Sequence, residues 1–64
     1  MLDQYEDIMT ISDLREVLNI GSNAAYRLLK QEEISAFRIG RTWKIPKQSV
    51  IRFISQGPQH KQGT

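Results

Sequence analysis

The stretch TISDLREVLNIGSNAAYRLLK, residues 10–30, decides the fold. It opens with a capping box: Thr10 stands three residues before Asp13, so its hydroxyl can accept from the Asp13 amide while the Asp13 carboxylate accepts from the Thr10 N–H. Leu14, Val17 and Leu18 then recur at helical spacing, and Ile11 joins them from the first turn. Asn19 tolerates the left-handed conformation in which helices commonly end, so the first helix stops there. Asn19, Ile20 and Gly21 leave room only for a tight turn, with Ile20 as its apolar plug. Ser22 or Gly21 caps a second helix that runs to about Gln31. Ala25, Leu28 and Leu29 share its inner face, and Asn23, Tyr26, Arg27 and Lys30 its outer one. Glu32 and Glu33 oppose the dipole of a helix C-terminus, so the helix stops before or around them.

Downstream lies FRIGRTWKIP, residues 37–46, in which apolar and cationic residues alternate around Gly40. This pattern predicts a hairpin with one buried face. Two loops fit. A three-residue loop, Gly40-Arg41-Thr42, pairs Ile39 with Trp43 and Phe37 with Ile45, which puts all four apolar residues on one face and Arg38 with Lys44 on the other. A two-residue loop, Gly40-Arg41, pairs Ile39 with Thr42 and Phe37 with Lys44, which mixes the faces. Face consistency favours the longer loop and is the reading adopted; Gly40 at the first loop position suits a type II′ turn and favours the shorter. In both, Arg41 stands at or beside the tip, and Trp43 and Phe37 are read as core packing rather than as platforms for bases.

Pro46 suits the first position of a third helix, where its missing N–H costs nothing. Val50, Phe53 and Ile54 form that helix's inner face, and Gly57-Pro58 ends it. The expected class is α+β, mainly helical: helix, tight turn, helix, two-stranded wing, helix. Residues 1–8 show no periodicity and read as a flexible N-terminus, 9–55 as the folded domain, and 56–64 as a disordered tail of Gly, Pro and polar residues.

With 64 residues the chain holds one domain at most, with a small core. It has no cysteine, which excludes disulfides, thiolate metal sites and thiol catalysis. The acidic, polar N-terminus is not a signal peptide, and no apolar run approaches the roughly 20 residues that span a membrane. A cytoplasmic location is therefore expected. His60, the single histidine, falls in the tail. No Ser/His/acid set, metal-ligand spacing or Gly-rich phosphate loop appears, so neither an enzyme nor a cofactor is expected.

The net charge of +2 conceals a division. Residues 1–33 carry seven acids against Arg15, Arg27 and Lys30, a balance of −4. Residues 34–64 carry Arg38, Arg41, Lys44, Lys47, Arg52 and Lys61 with no acid, a balance of +6. Such asymmetry suits a polyanionic partner.

Two short helices joined by three residues place the second where it can enter a major groove. Asn23 can then offer an amide to an adenine edge, and Arg27 a fork to guanine or phosphate. Tyr26 and Lys30 suit phosphate contacts, as does Ser22 at the helix start. In the wing, Arg41 can reach a minor groove. Arg38 and Lys44 can contact the backbone, and Thr42 can donate to phosphate. Lys47 reads as solvated.

The segment 9–54 resembles the excisionase-family DNA-binding domain, a small winged helix–turn–helix related to the DNA-binding part of MerR-type regulators. The resemblance rests on MT before the first helix, LNIGSNAAYRLLK across the turn, and AFRIGRTWKIP into the third helix. Tyr26-Arg27 and the run from Arg38 to Pro46 are its most specific parts. The chain departs from the family at Asn19, where Gly is usual, at Gly21-Ser22-Asn23-Ala24, where Ser-Arg-x-Thr is usual, and at Glu33-Ile34-Ser35. The second departure removes an arginine and a threonine that the resemblance would otherwise assign to DNA. The resemblance implies a prokaryotic or mobile-element protein that binds double-stranded DNA as a recombination directionality factor or small transcription regulator. It also implies an integrase, a recombinase or the transcription machinery as a further partner. MerR-type regulators dimerise through a long helix that follows this domain. No heptad pattern follows Ile54, so the expectation is a monomer in solution, with several copies on neighbouring DNA sites. The competing reading is a protein-interaction module whose acidic first half is the contact surface.

Overall fold

A computed structural model describes residues 1–57 of the chain. In order, the elements are β1 (Ile8–Met9), α1 (Ile11–Leu18), α2 (Ser22–Lys30), β2 (Phe37–Ile39), β3 (Thr42–Pro46) and α3 (Lys47–Gln56). The fold is the expected small winged helix–turn–helix, with one strand more than the sequence suggests. The antiparallel sheet runs β1-β3-β2, so β3 is central. Gln56, expected in the tail, is the last residue of α3, and the Gly57 amide donates to the Phe53 carbonyl. Pro58, His60, Lys61 and the rest of the expected tail lie outside the described residues.

Local chemistry sets the helix ends. Both bonds of the Thr10–Asp13 capping box form, at 3.1 Å each. Asn19 ends α1 in the left-handed region, φ 56°, and the Ile20 amide donates back to the Arg15 carbonyl. Gly21 precedes α2 in extended backbone and makes no side-chain cap bond, so Ser22 is the helix's first residue and not its cap. At the other end of α2, the Glu33 amide donates to Leu28 and the Glu32 amide to Leu29. This is a Schellman closure, whose left-handed position is usually glycine. Here Glu32 occupies it, at φ 58°. Pro46 sits one residue earlier than expected: it ends β3, paired with Ile8, and α3 starts at Lys47.

Seven side chains form the core: Met9, Leu14, Ala25, Leu29, Ile34, Ile45 and Val50. The helical stripes supply Leu14, Ala25, Leu29 and Val50 as expected, with Val17, Leu18, Leu28 and Phe53 packed around them. Met9 and Ile34 come from outside the helices. Ile54 is a correction to the expected inner face of α3. It lies one turn past the buried Val50 and is 43% exposed, outside the enclosed core.

The N-terminal stretch is tied to this core rather than separate from it. Met9 pairs with Ile45 across β1 and β3, which carries both side chains inward. Leu2 and Tyr5 pack against the cluster. The Lys47 amide donates to the Asp7 carbonyl at 2.7 Å, and its ammonium to the Tyr5 carbonyl at 3.1 Å. Lys47 is therefore a half-buried clasp, contrary to the solvated residue expected. The Tyr5 hydroxyl donates to Glu16 at 2.8 Å, and this bond raises its pKa above the ordinary phenol value.

The wing has the shorter loop. Its pairs are Phe37 with Lys44, Arg38 with Trp43 and Ile39 with Thr42. Gly40 adopts φ 63° while Arg41 stays on the negative side, the signature of a type II′ turn. The three-residue loop adopted from face consistency is thus wrong, and the turn chemistry decides. Because opposed residues share a face, Arg38 and Trp43 join Ile45 on the core side. Phe37, Ile39, Thr42 and Lys44 point to the other side. Phe37 and Ile39 are accordingly 47% and 61% exposed, and neither is core.

Two predictions follow from these local choices. Glu32→Gly relieves a left-handed strain worth about 1–2 kcal/mol, less the added unfolded-state entropy. It should therefore raise the urea midpoint, whereas Glu32→Gln, which removes only the charge, should recover little of that gain. In the wing, Phe37→Ser should cost less than about 1 kcal/mol, as an exposed position does, whereas Ile45→Ala should cost about 2–5 kcal/mol. A large loss for Phe37→Ser in the same denaturation measurement would restore the longer loop.

Candidate nucleic-acid interface

The outer face of α2 follows from its inner one. Burial of Ala25 and Leu29 turns Asn23, Tyr26, Arg27 and Lys30 to solvent, and Ser22 is exposed at the helix start. Tyr26 keeps 41% of its surface exposed. Gly21, the residue before α2, has no side chain, and nothing lies within 4 Å of where one would begin.

The wing contributes from two faces rather than one. Arg38 lies with its guanidinium 5.4 Å from the centre of the Trp43 ring, a cation–π contact that orients it. Trp43 is half-buried against the core, so this contact links the cation to the rigid part of the molecule. Lys44 is half-buried on the opposite face, and Thr42 and Arg41 are exposed at the tip. The expectation that Arg38 and Lys44 share one outer face is corrected by the register: 38 and 43 are opposed, and 44 is therefore on the other side of the pleat.

An open cleft of about 630 Å³ separates the end of α2 from the wing, and Lys30, Arg38, Trp43 and Ser35 line it together with Glu32. The structure thus brings the last cation of α2 and the first cation of the wing to one surface. Glu32 is the acid on that rim. Among the described residues, the ion pairs are the N-terminus with Asp3 and Lys47 with Asp7. Arg27, Lys30, Arg38, Arg41 and Lys44 therefore have no carboxylate partner there. Unpaired cations on two adjacent elements create a field suited to a polyanion. Among the described residues no group of three or more His, Asp or Glu is placed to hold a metal ion, and no helix is long and apolar enough to cross a membrane.

Sequence reasoning missed the exposure of Phe37 and Ile39. The signal was present in Gly40, whose position at the start of a two-residue turn fixes the register that exposes them.

A family model described as a helix-turn-helix domain matches residues 8–58. Its span takes in β1, both helices of the turn, the wing and α3. The comparisons with curated proteins and with solved structures gave no match.

Proposed function

We propose, from the premise that this chain belongs to the helix-turn-helix domain family, that it binds double-stranded DNA with a sequence preference, α2 lying in the major groove. The family is one of DNA-binding domains, and DNA is the partner it implies. The observation that supports the finer reading is the set of five cations on α2 and the wing, four exposed and Lys44 half-buried, that have no carboxylate partner among the described residues. Asn23 and Arg27 have the donor groups to read base edges. Ser22, Tyr26 and Lys30 suit the backbone beside them, and Arg38, Thr42 and Lys44 the backbone under the wing. Arg41, at the tip, suits the adjacent minor groove, where negative potential concentrates.

The biological setting we favour is an excisionase-like directionality factor or a small transcription regulator, with the MerR-like arrangement of helices and wing. It rests on the resemblance of residues 9–54. An integrase or the transcription machinery would then be a second partner. The exposed acids of the first half, Glu16 and the N-terminal Asp3 and Glu6, are the surface for it.

Binding to a duplex should fall steeply with salt, because each neutralised phosphate releases counterions. Arg27→Ala should cost about 1–3 kcal/mol and relax preference at one base position. Lys44→Ala should weaken binding to all sequences alike and reduce the salt slope by about 1. Fluorescence anisotropy across a salt series measures both. Unchanged binding in the two variants would sink these assignments, and no binding even at low salt would favour the protein-interaction module.

A further inference from the structure

Glu32 is an acid where the fold gains nothing from an acid. Its backbone is left-handed, at φ 58°, a conformation that glycine or asparagine adopts far more readily. Asn19, which ends α1 in the same region, is of that tolerant type. Glu32 also follows the C-terminus of α2, where the helix dipole disfavours an anion. Its carboxylate returns no bond for these costs. Among the described residues it makes neither a side-chain hydrogen bond nor an ion pair, and the residue is exposed. Strain held without an internal return points to a role outside the fold. The place is specific: Glu32 lies on the rim of the α2–wing cleft with Lys30 and Arg38, and beyond Glu33 the chain has no further acid.

We propose that Glu32 is a specificity-determining residue that acts by repulsion: it keeps DNA phosphates out of the α2–wing cleft and so weakens binding to duplexes of the wrong sequence. The proposal rests on the DNA-binding reading above and adds to it a residue that sets discrimination. Attraction between cations and phosphates is common to every sequence. Discrimination is a difference of affinities, and it grows when the common part is lowered. The cleft has the parts of a phosphate seat, since Lys30 and Arg38 supply cations and Ser35 a hydroxyl. Glu32 on its rim opposes that use. Exposed charges act over about 10 Å at 0.1 M salt, so Glu32 acts on a phosphate at the cleft and not along the whole duplex. On a matched site, the base contacts of Asn23 and Arg27 fix where each phosphate falls, and none needs to enter the cleft. On unmatched DNA that register is absent, and a phosphate that drifts toward Lys30 and Arg38 meets the carboxylate.

The test uses the full chain and duplexes of about 30 base pairs with a randomised centre, at about 50 mM salt. Wild-type protein first enriches sequences from this pool. Anisotropy then measures each variant on the most enriched duplex and on the starting pool. Glu32→Gln should bind the starting pool about two- to fivefold more tightly than the wild type and the enriched duplex with unchanged affinity, so that the ratio between them falls. The gain should shrink as salt is raised to about 200 mM. Glu6→Gln removes the same charge near β1, at the sheet edge away from β2, and should alter neither affinity. Glu32→Gly, uncharged and with its backbone relieved, should bind as Glu32→Gln does. An equal gain on both duplexes overturns the proposal, as does the same gain in Glu6→Gln, which would make it an effect of net charge. A gain in Glu32→Gly alone assigns the effect to the backbone and also overturns it. So does weaker binding of Glu32→Gln to the enriched duplex, which would make Glu32 a reader of bases. All four results leave the DNA-binding reading intact. Binding without enrichment of any sequence removes the sequence preference and the proposal together, and absence of binding by every variant overturns the DNA-binding reading itself.

Discussion

Burial of the Ile45 side chain is the constraint from which the rest of the structure follows. Ile45 is fully enclosed, and it sits on the central strand of the sheet. Once it points inward, the pleat of β3 turns Trp43 inward and Thr42 and Lys44 outward, because side chains alternate along a strand. Its pairing with Met9 adds a third strand and holds the N-terminal segment down. The outward direction of the α2 cations is the same constraint seen from the helix side. Ala25 and Leu29 close on the core that Ile45 anchors, and the opposite face has nowhere to go but solvent.

A chain of this length affords no second core, so every element must contribute to one. The seven enclosed residues come from β1, α1, α2, the 31–36 connection, β3 and α3. This economy joins stability to the site. The cation–π contact of Arg38 rests on Trp43, which rests on the core. The α2–wing cleft is shaped by the Schellman closure that turns the chain after Lys30. Glu32 holds that closure in a conformation glycine would adopt more readily, and it also brings an acid to the cleft rim. The position is therefore a local cost whose charge shares a cleft rim with Lys30 and Arg38.

Much of the framework that positions the candidate site was legible in the residues. Thr10 and Asp13 located the start of α1, Asn19 its end, and the spacing of Ala25, Leu28 and Leu29 the outward face of α2. These signals are local: each depends on groups within about one helical turn. The strand β1 was not legible, since two residues show no alternation and Ile8-Met9 has no turn beside it. Lys47 was misread for a related reason. Its partners are the Tyr5 carbonyl and Asp7, some forty positions away, and nothing in its own neighbourhood announces them. The wing failed differently. Two local rules disagreed there, and the argument from apolar alternation lost to the geometry of Gly40, because a type II′ turn matches the twist of its strands.

The sequence by itself determined the helix–turn–helix, the presence and cations of the wing, and the acid-free second half, because capping, helical periodicity and formal charge are properties of short segments. The tertiary structure alone decided which wing residues share a face, that Phe37 and Ile39 are exposed, and that Lys30 and Arg38 line one cleft. A shift of one residue in strand pairing reverses every side chain on the strand, and that choice is made only when β3 is placed against β1 and the core.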